Sequence, residues 1–138
     1  MVYNLLMLMS WIVCRMPHSW LMVLGKGLGV LYYKFIKKQR NLAIKQMKES
    51  LQISQQEAEK LVRLSFINMG RNFMEVLYMP ALNKKNFSKY IEIDHLEIME
   101  QALAEKRGVV VLTGHVGNWE WLSASFTMND MPVTAIAK

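Results

Sequence analysis

His115 and Glu120 are the two residues whose types and spacing could perform acid–base chemistry. They lie within residues 108–122, which read GVVVLTGHVGNWEWL. An imidazole gains and loses a proton near neutral pH, so a histidine can act as a general base. A carboxylate near its other ring nitrogen would orient the imidazole and stabilise its charged form. The pair therefore predicts removal of a proton from a substrate. The competing interpretation is a hydrogen-bonded core histidine whose distance from a glutamate is accidental.

The residues between the two suit a turn that binds substrate. Gly114 and Gly117 let the backbone bend sharply and approach a ligand closely. Asn118 is a good helix N-cap, which would aim backbone N–H groups at an anion. Gly117 and Asn118 are therefore predicted to bind substrate, together with the neighbouring Trp119. Trp119 and Trp121 could alternatively be aromatic residues of the core or of a membrane interface. Because His115 and Glu120 have no His or Cys cluster beside them, neither a metal nor another cofactor is predicted.

The surrounding pattern predicts an α/β fold that positions this turn. Residues 109–113 form a β-branched apolar run between glycines, which is typical of a buried strand. Helices are predicted over residues 96–106 and 118–128, and a second strand over residues 133–137. In parallel sheets the reactive groups collect at the carboxyl ends of strands, where His115 would lie. Two strands do not form a stable sheet, so this pattern indicates the first part of a larger sheet domain.

The region before the sheet reads as helical. Residues 40–51 predict one helix, and the S-Q-Q-E sequence from Ser54 to Glu57 is a capping box that begins another. This second helix should run to about Tyr78, before Pro80. Its predicted core stripe has helical spacing: Val62, Phe66, Met69, Phe73 and Val76. A short strand is also possible over residues 90–93.

The N-terminal region is a candidate membrane anchor. Residues 1–36 are almost wholly apolar, and a basic cluster lies at their end: Lys34, Lys37, Lys38 and Arg40. Four residues interrupt the apolar run, namely Arg15, Pro17, His18 and Lys26, so we expect either one imperfect span or a helix pair in the membrane interface. A buried helical hairpin is the alternative. The predicted domains are thus an anchor, residues 1–36, and a catalytic region, residues 37–138.

The net charge of +6 favours an anionic partner. Nucleic acid is excluded because the basic residues cluster beside the apolar segment and form no recognition motif. The single cysteine, Cys14, excludes a disulfide within the chain and suits a reducing compartment.

The segment G-H-V-G-N-W-E resembles the motif of the bacterial late acyltransferases of lipid A biosynthesis, the lauroyl and myristoyl transferases, within the glycerolipid acyltransferase superfamily. The order of the other segments agrees: an apolar N-terminus, R-N-L-A, F-I-N-M-G-R-N-F-M-E and G-V-V-V-L-T-G-H. The resemblance covers nearly the whole chain. It implies an α/β sandwich that begins with N-terminal membrane-anchor helices and is incomplete here.

The resemblance also implies a reaction. His115 would deprotonate a hydroxyl of an anionic glycolipid, the lipid A precursor, and Glu120 would stabilise the imidazolium. The hydroxyl would attack an acyl thioester on acyl carrier protein, which Arg63, Arg71 or the C-terminal half could dock. The expected location is the inner membrane, with the catalytic part on the cytoplasmic side.

Family members are about twice as long, and their later motifs would lie beyond Lys138. The 138-residue chain alone is therefore expected to be inactive or nearly so. Two alternatives stay open: a family acyltransferase with another glycolipid or an aminoacyl-lipid acceptor, and a non-catalytic membrane-associated fragment.

Overall fold

The computed structural model describes residues 2–131 and 133–134 of the chain. Their contacts divide into two compact units, one ending at Tyr78 and the other beginning at Met79. The first contains four helices: α1 (Val2–Val13), α2 (His18–Phe35), α3 (Lys37–Leu51) and α4 (Gln55–Tyr78). The second contains 3₁₀ turns at Met79–Ala81 and Phe87–Lys89, and two helices, α5 (Leu96–Ala104) and α6 (Trp119–Met128). Over the described residues all regular structure is helical, so the α/β prediction is wrong for this part of the chain.

The apolar N-terminus is two helices rather than one. α1 has 12 residues and α2 has 18, and residues 14–17 form the turn between them. Pro17 lies at the entry to α2 with extended backbone angles, which fits a proline at a helix boundary. Among the described helices, none combines the length and hydropathy that a transmembrane span requires. The predicted anchor helices are therefore wrong as spans: Pro17 divides the apolar run, and Lys26 together with the glycines of α2 lowers its hydropathy.

α2 crosses α4 at unusually close range through glycines. A Cβ atom built on Gly25 would lie 2.7 Å from Arg71 Cα, and one on Gly29 would lie 2.6 Å from Ile67 Cα. From the other side, a Cβ on Gly70 would lie 2.6 Å from the backbone nitrogen of Gly29. Real Cβ atoms do not come so close to backbone, so only glycine fits at these three positions.

The buried row of α4 differs from the predicted stripe. Val62 and Phe66 are buried as predicted, whereas Met69, Phe73 and Val76 are exposed. The row that faces the neighbouring helices has four-residue spacing: Ala58, Val62, Phe66, Gly70, Met74 and Tyr78. Such rows are the ridges through which helices commonly cross. The predicted stripe, with mixed steps of three and four residues, runs parallel to the helix axis. The buried row has steps of four residues throughout, because α4 packs against its neighbours through this ridge.

The start of α4 confirms the capping box. The Ser54 hydroxyl donates to Glu57 Oε2 at 2.7 Å and accepts from the Glu57 backbone N–H at 3.2 Å. The Ser54 backbone N–H also donates to Glu57 Oε2, at 3.1 Å. These bonds lower the pKa of the Glu57 carboxyl, the hydroxyl contributing most.

The far end of α4 is joined to α1. The Ser10 hydroxyl donates to the Leu77 carbonyl oxygen at 2.7 Å, and the Cys14 thiol lies 3.6 Å from the same oxygen. Val13 is buried beside them. The C-terminal half of α1 is therefore held by the last turn of α4.

The second unit has a small core of its own. Leu82, Phe87 and Trp121 are buried, and the Tyr90 ring meets Trp121 edge to face at 6.2 Å between centroids. Residues 91–93 have no regular structure, so the short strand predicted at residues 90–93 is wrong.

The strand predicted at residues 109–113 is also wrong. These residues belong to neither a helix nor a strand, and Val110 and Leu112 are 88% and 93% exposed. A strand needs a neighbour to satisfy its backbone groups, and the described part of the chain offers none. Of the second predicted strand, residues 133–137, Val133 and Thr134 have no regular structure. Its last three residues lie outside the described residues.

Candidate functional site

The N-terminus of α6 positions the predicted site. Asn118 is its N-cap, as predicted, because its side-chain oxygen accepts a hydrogen bond from the Trp121 backbone N–H at 3.4 Å. Trp121 is buried and holds the first turn of α6 in the core of the second unit. His115 lies three residues before the N-cap Asn118, and Glu120 lies in the first turn of α6, so the predicted residues are grouped at one end of one helix.

A compact turn leads from His115 into the helix. The Val116 backbone N–H donates to the Gly114 carbonyl oxygen at 2.8 Å, which folds the chain tightly around His115. Gly117 follows with a φ of +60°, a left-handed conformation that glycine adopts without strain. The bend expected of this glycine is therefore present, and it directs the chain from the His115 loop into α6.

The rings of His115 and Trp119 are in direct contact. Their centroids lie 4.7 Å apart and their planes meet at 67°, an edge-to-face arrangement. Both side chains are exposed to solvent. The contact restricts the imidazole on one side and leaves the rest of the ring exposed to solvent.

Glu120 also contacts Trp119. The indole N–H of Trp119 donates to Glu120 Oε1 at 3.1 Å. No hydrogen bond or ion pair joins His115 directly to Glu120, both of which are described side chains. Trp119 therefore lies between the two, with its ring against the imidazole and its N–H on the carboxylate.

The sequence did not predict this bridging position of Trp119. Trp119 follows His115 by four residues, so the two residues must lie near each other. A tryptophan that belongs to a structural core could have the same spacing. A tryptophan that bridges His115 and Glu120 differs from a core tryptophan in the direction of its indole N–H. That direction depends on the local backbone, which the sequence does not specify.

The other two histidines lie away from this turn. His18 Nε2 is 3.5 Å from Glu75 Oε1, and its ring meets Tyr78 edge to face at 5.8 Å. His95 is exposed, and its Nδ1 lies 3.0 Å from Glu97 Oε1. This contact lowers the pKa of the Glu97 carboxyl. The separation of 57 residues between His18 and Glu75 leaves no local pattern by which sequence could pair them.

The arginines proposed for carrier docking differ in exposure. Arg63 is exposed on α4, whereas Arg71 is half-buried beside the glycine crossing. Within residues 2–131 and 133–134, no three His, Cys, Asp or Glu side chains gather as metal ligands would.

Comparison with known proteins covers the whole chain rather than the segment around His115 alone. The family model of the bacterial lipid A biosynthesis acyltransferases matches residues 1–138. The chain is 25% identical over 121 residues to the lipid A biosynthesis lauroyltransferase of Escherichia coli K12, covering 87% of the chain and 40% of that protein. It is 24% identical over 106 residues to the lipid A biosynthesis palmitoleoyltransferase of the same strain, covering 76% and 35% respectively.

A third relative has a different name. The phosphatidylinositol mannoside acyltransferase of Mycolicibacterium smegmatis is 25% identical over 80 residues, which cover 58% of the chain and 26% of that protein. No solved structure matches the chain. The family resemblance inferred from the segment around His115 is confirmed by a match over the full length. The chain belongs to the bacterial lipid A biosynthesis acyltransferase family.

Proposed function

We propose that this chain supplies the general base of an acyltransferase that moves a fatty acyl group from acyl carrier protein to a hydroxyl of a lipid A precursor. The observation that carries the proposal is the exposed cluster of His115, Trp119 and Glu120 at the start of α6. Family membership supplies the reaction class, since the relatives are named as acyltransferases.

The proposed step balances without a covalent enzyme intermediate. His115 takes the proton of the acceptor hydroxyl while its oxygen attacks the carbonyl carbon of the acyl thioester. Collapse of the tetrahedral intermediate breaks the carbon–sulfur bond, and the departing thiolate takes the proton from His115. An ester and the free thiol of the carrier are the products.

Glu120 is proposed to stabilise the imidazolium formed during this cycle. In the structure its carboxylate contacts the Trp119 indole rather than His115, so Trp119 becomes part of the proposed arrangement. Gly117 and Asn118 are proposed to shape the approach of the substrate. Backbone N–H groups at a helix N-terminus favour negative charge, such as that of the tetrahedral intermediate.

The test is acyl transfer by membranes from cells that produce this chain as part of the full-length acyltransferase proposed above, given acyl carrier protein loaded with a labelled acyl group and a lipid A precursor. His115→Ala should lower the rate about 100- to 10,000-fold, the usual contribution of a general base. His95→Ala is the matched control, because His95 is also an exposed histidine and lies outside α6, and it should retain full activity. Equal rates for the two variants would remove His115 from the mechanism.

We also propose that the reaction takes place at the cytoplasmic side of the bacterial inner membrane. The relatives named for lipid A biosynthesis support a lipid acceptor. The basic cluster after residue 36 supports the cytoplasmic side, where Lys and Arg are enriched next to membranes.

Another glycolipid acceptor is the second candidate. Similarity to the phosphatidylinositol mannoside acyltransferase favours it, because a base that acts on a hydroxyl leaves the rest of the acceptor unspecified. An aminoacyl-lipid acceptor follows from the same reasoning.

A further inference from the structure

We propose that a cavity in the first unit, between α3 and the start of α4, binds a phosphate group carried on a small, hydroxyl-rich molecule such as a sugar phosphate. Arg40 is the principal phosphate ligand, and carboxylate and amide oxygens on the opposite wall accept hydrogen bonds from the hydroxyls. This inference goes beyond the proposed acyl transfer and does not rest on it. Its test measures binding alone, so its failure and that of the proposed reaction are distinguishable.

The cavity has a volume of about 600 Å³, which is within the range of small-molecule sites. α3 forms one wall, the first turns of α4 form another, and Tyr33 of α2 completes the lining. Ile44, on the wall that α3 provides, is buried in one apolar cluster with Ala58 and Val62 of α4. This shared core holds the two walls together, so the polar side chains of the cavity project from fixed backbone positions.

Two contacts hold the guanidinium of Arg40 in one orientation. Its Nε–H donates to Asn41 Oδ1 at 3.2 Å, and its central carbon lies 5.3 Å from the centre of the Tyr33 ring. Tyr33 in turn meets the buried Phe66 edge to face, at 5.6 Å between centroids. The two terminal nitrogens of Arg40 have no partner among residues 2–131 and 133–134, and the side chain is half-buried in the cavity lining. A planar fork with free donors is well suited to pairing with phosphate.

Lys48 adds a second charge that no carboxylate neutralises. Steps of four residues place Arg40, Ile44 and Lys48 on one side of α3, and all three line the cavity. Neither cation forms an ion pair within the described part of the chain, whereas Lys45 lies 3.9 Å from Glu49 Oε1. A phosphate monoester carries a charge of about −1.5 to −2 at pH 7, so two free cations match it better than they match a single carboxylate.

The wall that α4 provides supplies hydrogen-bond acceptors. Gln55 Nε2 donates to Glu59 Oε1 at 2.8 Å, which orients both side chains. Glu59 Oε2 and the Gln55 carbonyl oxygen keep acceptor capacity, and both residues line the cavity together with Glu49. Carboxylates repel a polyanion but accept hydrogen bonds from hydroxyls, so this wall disfavours an acidic peptide or a nucleic acid. The cavity therefore favours a molecule with one phosphate and several hydroxyl groups.

The proposal is tested by isothermal titration of the full chain, kept in micelles of a neutral detergent, with glucose 6-phosphate. This probe should bind at least about tenfold more tightly than glucose, because hydrogen bonds to a phosphate are charge-assisted. Arg40→Gln should lower the affinity about tenfold or more, and Arg40→Lys should give an intermediate affinity, since an ammonium group cannot pair bidentately. The matched control, Arg63→Gln, changes an exposed arginine of α4 outside the cavity lining and should retain the wild-type affinity.

A second pair of variants tests the opposite wall. Glu59→Ala should lower the affinity for glucose 6-phosphate about fivefold without lowering that for inorganic phosphate, because it removes an acceptor of hydroxyl hydrogen bonds. Glu100→Ala, an exposed glutamate of α5, is the control and should leave both affinities unchanged. Circular dichroism establishes that each variant keeps its helices.

Dihexanoylphosphatidic acid, a short-chain lipid with the same phosphate group, distinguishes a lipid source of that group from a soluble one. Tighter binding of glucose 6-phosphate supports the soluble, hydroxyl-rich ligand. Binding of the lipid alone, lost in Arg40→Gln, would assign the phosphate site to a lipid and overturn that ligand. The site itself is overturned by equal affinities of the wild type and Arg40→Gln for both probes.

Discussion

Trp119 is the residue whose position changes the interpretation of the His115 segment most. The five-residue spacing of His115 and Glu120 predicted a direct hydrogen bond between them, but the Trp119 indole lies between the two side chains. Aromatic contact of this kind limits ring rotation, and a rigidly held base loses less freedom when it reacts. The geometry thus gives the tryptophan a positioning role in the proposed reaction.

Trp119→Phe tests that role at the scale of one hydrogen bond. Phenylalanine keeps a ring beside His115 but cannot donate to Glu120, so kcat should fall about fivefold, equivalent to about 1 kcal/mol. The KM for the acceptor should be unchanged, because the bond serves the imidazolium rather than substrate binding. Steady-state kinetics separate the two parameters. Trp11→Phe, on α1, is the control and should leave kcat unaltered; a Trp119→Phe enzyme with wild-type kcat would contradict the role.

At the scale of elements, the α2–α4 crossing depends on glycine rather than on side-chain interlocking. Gly29→Ala should destabilise the chain by about 2 kcal/mol or more, because its methyl group would meet the backbone of α4. Gly27→Ala is a matched control on the same helix: nothing lies within 4 Å of its added Cβ, so helix propensity should make it stabilising by about 0.5–1 kcal/mol. Thermal unfolding followed by circular dichroism measures both, and equal effects would refute the close crossing.

The capping box of α4 predicts a dependence on pH. Ser54→Ala should cost about 1 kcal/mol at pH 7, the usual value of an N-cap hydroxyl. Because the Glu57 pKa is lowered in the folded chain, its stabilisation is present above the ordinary value of 4.5 and is lost as the pH falls through the folded value. The stability difference between wild type and Ser54→Ala should therefore narrow in acid.

Unfolding at pH 7 and at pH 3.5 compares the two conditions. Ser65→Ala serves as the control, since its hydroxyl donates within α4 to the Leu61 carbonyl oxygen and involves no carboxylate. Its stability difference from wild type should be the same at both pH values. A Ser54→Ala difference that does not change with pH would contradict the contribution of Glu57.

Elements with local signals were predictable, and those that depend on distant partners were not. The S-Q-Q-E cap, the start of α6 at Asn118 and the end of α4 near Pro80 are determined by neighbouring residues. The apolar run at residues 109–113 carries a strong strand pattern, but a ladder needs a second strand that the described residues do not contain. The buried ridge of α4 was missed in part because the angle of a helix crossing is a tertiary property.

At the scale of the whole molecule, the chain spans 40% or less of the relatives described above. In the proposed reaction, the residues near His115 would act on a hydroxyl and its immediate surroundings, whereas the proposed glycolipid acceptor is much larger than this turn. Selection of that acceptor would therefore depend on surfaces beyond His115, Trp119 and Glu120.

An acceptor panel provides the prediction at this scale. Membranes containing the protein should acylate a lipid A precursor at least about tenfold faster than phosphatidylinositol mannoside, since both lipid A relatives match over more of the chain. Mass spectrometry of the products identifies the acylated lipid. Preference for the mannoside would retain the family and the base but replace the proposed acceptor.

The hydrogen bond from the Ser10 hydroxyl to the Leu77 carbonyl oxygen has a practical consequence for shortening this chain. The last carbonyl groups of a helix lack partners within it, and α1 provides one for α4. Deleting the first 16 residues to improve solubility would thus remove the hydrogen bond from Ser10 to the Leu77 carbonyl oxygen in the last turn of α4. The shortened protein would lose the exposed apolar surface of α1, but the last turn of α4 would be less stable. Replacing exposed leucines of α1 with polar residues would instead keep the hydrogen bond from Ser10.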